Sequence, residues 1–243
     1  GVDSSVAAYL MGQLGWDCLG ATMTLYRNED IGRSSSRTCC SLDDVEDARS
    51  VAFRLRIPYY VFNFSDEFRC QVMDRFADAY GQGQTPNPCI DCNRYLKFRH
   101  LYDRAVLLGC DAIATGHYAT TTEIDGKVWL STAKDPVKDQ TDFLGQITRL
   151  QIQKLMFPIG HLMKAEVRAI AAEQKLPSAM RKDSQGICFL GKINYNDFIE
   201  RYLGKRVGKI VELETGKVLG KHNGYWFHTI GQRKGLGLSG GPW

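Results

Sequence analysis

The first 145 residues alternate between short apolar runs and amphipathic stretches, and that alternation limits the folds open to the chain. Ser5 to Leu14 has a helical pattern that stops at Gly15, a position suited to a left-handed cap. Cys18 to Leu25 reads as a buried strand, and Ser41-Leu42-Asp43-Asp44 as the capping-box-like start of a helix reaching Arg56. Pro58 to Phe64 (PYYVFNF) is aromatic and β-branched, the composition of a second strand. A helix from Asp66 to Tyr80, a loop, a helix from Asn93 to Leu108 and a short strand from Asp111 to Thr115 follow. Strands and helices in alternation predict an α/β fold with a parallel sheet wrapped by helices. In such a sheet ligands bind at the carboxyl ends of the strands, where both Gly1–Ser5 and Thr115–His117 fall.

Beyond this region the pattern changes twice. Thr122 to Thr132 holds Asp125-Gly126 between alternating polar and apolar residues, a hairpin signal. Residues 146–203 read as mainly helical, including Ala165 to Lys175 and Asn194 to Leu203. From Val207 onward, short alternating segments broken by glycines read as the start of a small β-barrel. The expected division is therefore 1–145 (α/β), 146–204 (helical) and 205–243 (an unfinished barrel). The chain opens inside what reads as a motif, with its N-terminal strand missing, and stops at Gly240-Gly241-Pro242-Trp243 before any element is complete. Signal and transit peptides are not judged from it.

Composition narrows the function classes only modestly. A net charge of +4 permits an acidic partner such as RNA without arguing for one. No run approaches the roughly 20 apolar residues that span a bilayer, so no membrane partner is expected. Eight cysteines in a chain this long lack the density of a secreted disulfide scaffold. Reduced thiols with a few reactive or metal-binding members fit better.

Two segments carry chemistry. Gly1-Val2-Asp3-Ser4-Ser5 runs into a helix, where unpaired N–H groups and the positive end of the dipole attract phosphate. The same residues also suit an ordinary N-cap. Thr85-Pro86-Asn87-Pro88-Cys89-Ile90-Asp91-Cys92-Asn93 presents two thiols from a stretch stiffened by two prolines, at 86 and 88. Cys92 at a helix start is expected to have a lowered pKa. A lone Cys-x-x-Cys serves equally as half a zinc site, a redox pair or an iron–sulfur corner; the lack of a second such pair weakens the zinc reading. Cys188, in KDSQGICFLG, is flanked by glycines and suits either close approach to a partner or core packing.

Together these stretches closely resemble the tRNA-specific 2-thiouridylase (MnmA) family of the ATP pyrophosphatase, or PP-loop, superfamily. The resemblance covers essentially the whole chain. It rests on Gly1–Ser5, the tail of an SGGVDSS loop, then Cys39-Cys40-Ser41-Leu42, and TPNPCIDCN with Lys97-Phe98. Ala114-Thr115-Gly116-His117-Tyr118, Lys138-Asp139-Gln140, Phe157-Pro158-Ile159-Gly160, KDSQGICFLG and His228-Thr229-Ile230-Gly231-Gln232-Arg233-Lys234-Gly235 follow in order.

The resemblance implies an adenine-nucleotide-hydrolase-like fold and an enzyme using ATP with Mg2+. The C2 oxygen of the wobble uridine of tRNA(Lys), tRNA(Glu) and tRNA(Gln) would be adenylated. A persulfide sulfur-relay protein would load Cys188 (the persulfide intermediate), and Cys92 (the nucleophile) would help release the sulfur, with a Cys92–Cys188 disulfide as one end state. Gly1, Val2, Asp3, Ser4, Ser5, Met23 and Gly116 would hold ATP. Asn87, Pro88 and Cys89 would touch the target base, and His117, Lys138, Asp139 and Gln140 the tRNA. A cytoplasmic or organellar location is implied.

Cys89 departs from well-described members, which carry an acid–base Asp there. With Cys92 and Cys188 it would instead provide three ligands for a [4Fe–4S] cluster, an alternative route to the same product. Arg233 and Lys234 are further candidates to lie near tRNA. Cys39 and Cys40 match a family feature without an assigned role. A non-enzymatic RNA-binding module with a structural metal on the Cys-x-x-Cys pair is the competing reading from another class.

Overall fold

The computed structural model describes residues 1–27, 42–183 and 195–238. Helix α1 (Val2–Gln13) leads into strand β1 (Gly20–Thr24), and α2 (Leu42–Leu55) into β2 (Tyr59–Asn63). Leu14 ends α1 and Gly15 follows at φ +83°, the left-handed turn that only a missing Cβ makes inexpensive. Strands β1 and β2 pair in parallel, with Gly20 opposite Tyr59 and Thr24 opposite Asn63. The expected Ser41 cap lies outside the described residues.

Two long helical stretches follow. The first runs through α3 (Ser65–Phe68), a π-helical stretch (Arg69–Asp74) and α4 (Arg75–Gly81). The second runs through α5 (Pro88–Asp91), a π-helical stretch (Cys92–His100) and α6 (Leu101–Leu107). It begins five residues before the expected start at Asn93. Asn87 is the N-cap, its side-chain oxygen accepting from the Cys89 N–H at 3.1 Å, and Pro88 occupies the first turn, where its missing donor costs nothing. The cysteine segment is therefore the first turns of a helix, not a loop before one.

Strand β3 (Ile113–Ala114) is followed by the hairpin of β4 (Thr120–Ile124) and β5 (Lys127–Ser131). Asp125 and Gly126 turn it at φ +52° and +68°, the two positive values of a type I′ turn. Short helices α7 (Thr141–Leu144) and α8 (Arg149–Ile152) precede β6 (Leu155–Met156), which pairs in parallel with β3. The expectation that 146–203 is mainly helical misses this strand. Two apolar residues are too few to show a period, yet the Ile113 N–H donates to the Lys154 carbonyl and the Thr115 N–H to the Met156 carbonyl. Helices α9 (Lys164–Glu173) and α10 (Tyr195–Leu203), then the antiparallel pair β7 (Gly208–Val211) and β8 (Val218–His222), complete the described elements.

Three apolar clusters hold these elements. Val2, Val6, Tyr118, Val167 and Ala171 join α1 to α9, and so fix the start of α1 against the centre of the molecule. Phe98, Ile113, Leu144, Leu155 and Phe157 pack around β3 and β6. Phe68, Phe76, Cys92, Leu96, Phe198 and Trp226 join the two long helices to α10 and the segment after β8. Trp226 is buried as core while Tyr225 is half-exposed, its hydroxyl donating to the Gly81 carbonyl. Among the described residues no helix is long and apolar enough to cross a membrane.

Candidate active site

Burial of Val2 and Val6 presses the first turn of α1 onto Thr115-Gly116-His117. A Cβ built on Gly116 would lie 2.5 Å from the Ser4 nitrogen and 2.6 Å from the Asp3 carbonyl carbon, so only glycine fits. Gly1–Ser5 and Gly116, six of the seven expected ATP residues, thus meet at one place. The Gly1 carbonyl accepts from the Ser4 and Ser5 hydroxyls at 3.1 and 2.8 Å, and the Ser178 hydroxyl donates to Ser5 Oγ at 2.8 Å. The seventh, Met23, lies on β1 opposite Phe62 and packs against the aromatic cluster.

A charged network borders this turn. Asp3 Oδ1 accepts from the Tyr118 hydroxyl at 2.9 Å and from Lys164 Nζ at 2.7 Å. Lys164 also reaches Asp183 at 2.9 Å, and Asp183 accepts in addition from Lys138 at 3.2 Å and Arg168 at 2.5 Å. The hydrogen bond from Lys164, followed by those from Lys138 and Arg168, outweighs burial and holds the Asp183 carboxyl down at about 2. Burial, with the Asp3 carboxylate beside it, pushes the Tyr118 hydroxyl far up, so it stays a donor. Asp183 falls in the KDSQGICFLG segment without a role of its own there, and Lys164 was not singled out, since a Lys and an Asp 19 residues apart carry no spacing signal.

The thiol side is built differently. Cys92 is 5% exposed and lies within the aromatic cluster, while Cys89, one turn earlier, is partly exposed. Burial raises both thiols above the ordinary cysteine range, and the nearby Lys97 ammonium pulls back only part of the rise. This corrects the expected lowered pKa at Cys92. The helix starts at Pro88, so Cys92 is past the first turn, where the dipole fades, and desolvation dominates.

Lys97 Nζ lies 3.4 Å from His117 Nε2, and His117 Nδ1 lies 2.9 Å from the Thr115 hydroxyl. Lysine can only donate, so Nε2 accepts and the Nδ1–H donates to Thr115. Burial, then the charge of Lys97, drives the His117 pKa well below its usual value and keeps the ring neutral. Asn93, 2% exposed, donates to the Phe143 carbonyl at 2.8 Å, leaving its Oδ1 buried without a hydrogen-bond partner.

The residues expected at tRNA fall into two groups. Asn87 and Pro88 form the helix cap described above, with Cys89 beside them. Asp139 accepts from the Ala133 N–H at 2.5 Å and from the Thr141 N–H and hydroxyl; Gln140 accepts from the Tyr118 N–H at 3.0 Å. Both side chains therefore brace the turn before α7. Lys138 keeps a side chain 38% exposed beside Asp183. Arg233 and Lys234 are exposed.

Cys188, Cys39 and Cys40 lie outside the described residues. Among the described residues no group of three or more His, Cys, Asp or Glu is placed to hold a metal. His222 and His228 have the His-x5-His spacing of a zinc half-site and stand 6.1 Å apart between ring centres, but among the described residues no further ligand joins them.

Residues 1–192 match the family model described as the tRNA methyl transferase HUP domain, and residues 196–243 that of the tRNA methyl transferase PRC-barrel domain. A tRNA-specific 2-thiouridylase MnmA of Parabacteroides distasonis is 63% identical over all 243 residues, which cover 67% of its length. The chain belongs to the MnmA family. Relatives of the same printed name in Porphyromonas gingivalis and Alkaliphilus oremlandii are 55% and 44% identical, each matched over the whole of this chain and over 66% of its own length. The chain thus spans about two thirds of the length of the curated relatives it matches. The α/β region with its parallel pairs is the HUP part of this MnmA-family chain.

Proposed function

We propose that this MnmA-family chain is the catalytic portion of an ATP-dependent tRNA 2-thiouridylase acting on the wobble uridine of tRNA(Lys), tRNA(Glu) and tRNA(Gln). One observation carries the reading. Three consecutive residues link the two regions: Gly116 packs on the α1 turn at Ser4, while His117, braced by Thr115, contacts Lys97 of the thiol helix. That adjacency supports nucleotide activation and sulfur handling in one site. Residues 1–145 would supply nucleotide binding, 146–204 the tRNA-binding region with the second cysteine, and 205–243 the start of the barrel.

ATP with Mg2+ fits the α1 turn, where backbone N–H groups, a glycine-only approach and a lysine converge. The uridine O2 attacks the α-phosphorus, the bond to the β-phosphate breaks, and pyrophosphate leaves with the electron pair. A relay protein's persulfide has by then loaded Cys188. The terminal sulfur attacks C2 and expels AMP, forming a C2–S–S–Cys188 link. Cys92, as thiolate, attacks Cys188 Sγ; the old S–S bond breaks, its electron pair stays with the sulfur on C2, and 2-thiouridine forms. The resulting Cys92–Cys188 disulfide is reduced by an external dithiol.

The test is Cys188→Ser in the intact protein, with 2-thiouridine measured in tRNA by mass spectrometry. Product should vanish while ATP and tRNA still bind. Retained thiolation would reject the route, as would stoichiometric iron and sulfide in anaerobically purified, active protein.

A further inference from the structure

We propose that Lys164 receives the pyrophosphate end of ATP, and that Asp3 is the counter-ion holding it ready until the nucleotide arrives. The inference rests on the nucleotide half of the function just proposed. Lys164 opens α9, and its backbone N–H is fixed by Asp135 at 2.9 Å. Its side chain is only 13% exposed, and Nζ is shared between Asp3 and Asp183 above the Tyr118 ring. A charge so nearly buried persists only while paired.

The pairing is arranged so that Lys164 can be given up. Asp183 keeps Lys138 and Arg168 if Lys164 turns away, and Asp3 keeps the Tyr118 hydroxyl. Lys134 is drawn to Glu166 at 2.9 Å. A triphosphate entering at the first turn of α1 brings several negative charges next to Asp3. Without a cation the two would repel, and Lys164 is the cation already in contact with that turn. As the bond between α-phosphorus and bridging oxygen breaks, charge gathers on the departing pyrophosphate, where a preplaced ammonium stabilises it without reorganisation.

The experiment titrates inorganic pyrophosphate alone, in EDTA, into the intact protein by calorimetry. Lys164→Met should weaken binding at least tenfold and Lys164→Arg should restore most of it. Binding of Lys164→Met equal to the wild type overturns the proposal. Asp3→Asn preserves shape, removes one of the two carboxylates that hold Lys164, and decides the matter should Lys164→Met fail to fold. It should bind pyrophosphate several-fold tighter, and unchanged or weaker binding would overturn the proposal. Lys164-dependent pyrophosphate binding in a protein that makes no 2-thiouridine would refute the proposed function and leave this inference standing. Thiolation with pyrophosphate binding indifferent to Lys164 would do the reverse.

Discussion

The two sides of Thr115-Gly116-His117 solve opposite electrostatic problems. On the phosphate side, Asp3, Lys164, Asp183, Lys138 and Arg168 are all charged, all paired, and bordered by solvent. On the thiol side, Cys92 sits in an aromatic cluster and His117 is neutral, with Lys97 the cation acting on both thiols. On the proposed function, the first side is organised for phosphate in advance, with its charges already gathered at the α1 turn. The second holds Cys92, the proposed nucleophile, protonated, which protects a thiol from oxidation until its surroundings change. Readiness on one side and restraint on the other would keep adenylation ahead of sulfur release.

The contrast breaks most completely at Gly116. In Gly116→Ala the new methyl would meet the Ser4 nitrogen and the Asp3 carbonyl carbon, both backbone, so the turn itself must shift. A displacement of that size should lower kcat/KM for ATP on the order of a hundredfold. The thiol side should be untouched, so the rate at which a small alkylating agent labels Cys92 should equal that of the wild type. Pyrophosphate release assayed with tRNA checks the first part. A near-normal ATP response in Gly116→Ala would show that the close approach does not serve the nucleotide.

Lys97 sharpens the other half. Removing its charge in Lys97→Met leaves burial unopposed at both thiols. The pH midpoint for alkylation of Cys92, followed by mass spectrometry of its peptide, should rise, and labelling at neutral pH should slow. Pyrophosphate affinity should not change, since Lys97 makes no contact with the α1 turn in the described hydrogen bonds. An unmoved midpoint would mean that burial alone sets Cys92.

Much of this was legible in the sequence, and the remainder shares one cause. The βαβ alternation, the Gly15 stop and the Asp125-Gly126 turn follow from local rules, and each appears where those rules place it. Asn87-Pro88 carries the signature of a cap followed by a first-turn proline, a local signal that the rigid-loop reading of this stretch passed over. That shift of five residues moves Cys92 out of the first turn and reverses the sign of its pKa. Strand β6 forms because residues 42 positions away offer it a partner, a fact its own two residues cannot show. The Lys164 network likewise joins positions 3, 138, 164, 168 and 183, which only tertiary packing, that of α1 against α9 included, brings together.

The smallest expected effect tests whether the phosphate side is truly preassembled. Asp183 has a folded pKa of about 2, below the ordinary 3.9 or so of an unfolded aspartate. Its contribution is therefore complete above about pH 5 and is lost as the pH falls through 4 toward 2. Lys138 and Arg168 are each more than a third exposed, so solvent screening limits that contribution to about 1 kcal/mol. Urea unfolding of wild type and Asp183→Asn should differ by this amount at pH 6 and converge near pH 2. A gap that stayed constant across that range would mean the carboxylate's charge contributes nothing, and that packing rather than ion pairing holds the network in place before the nucleotide binds.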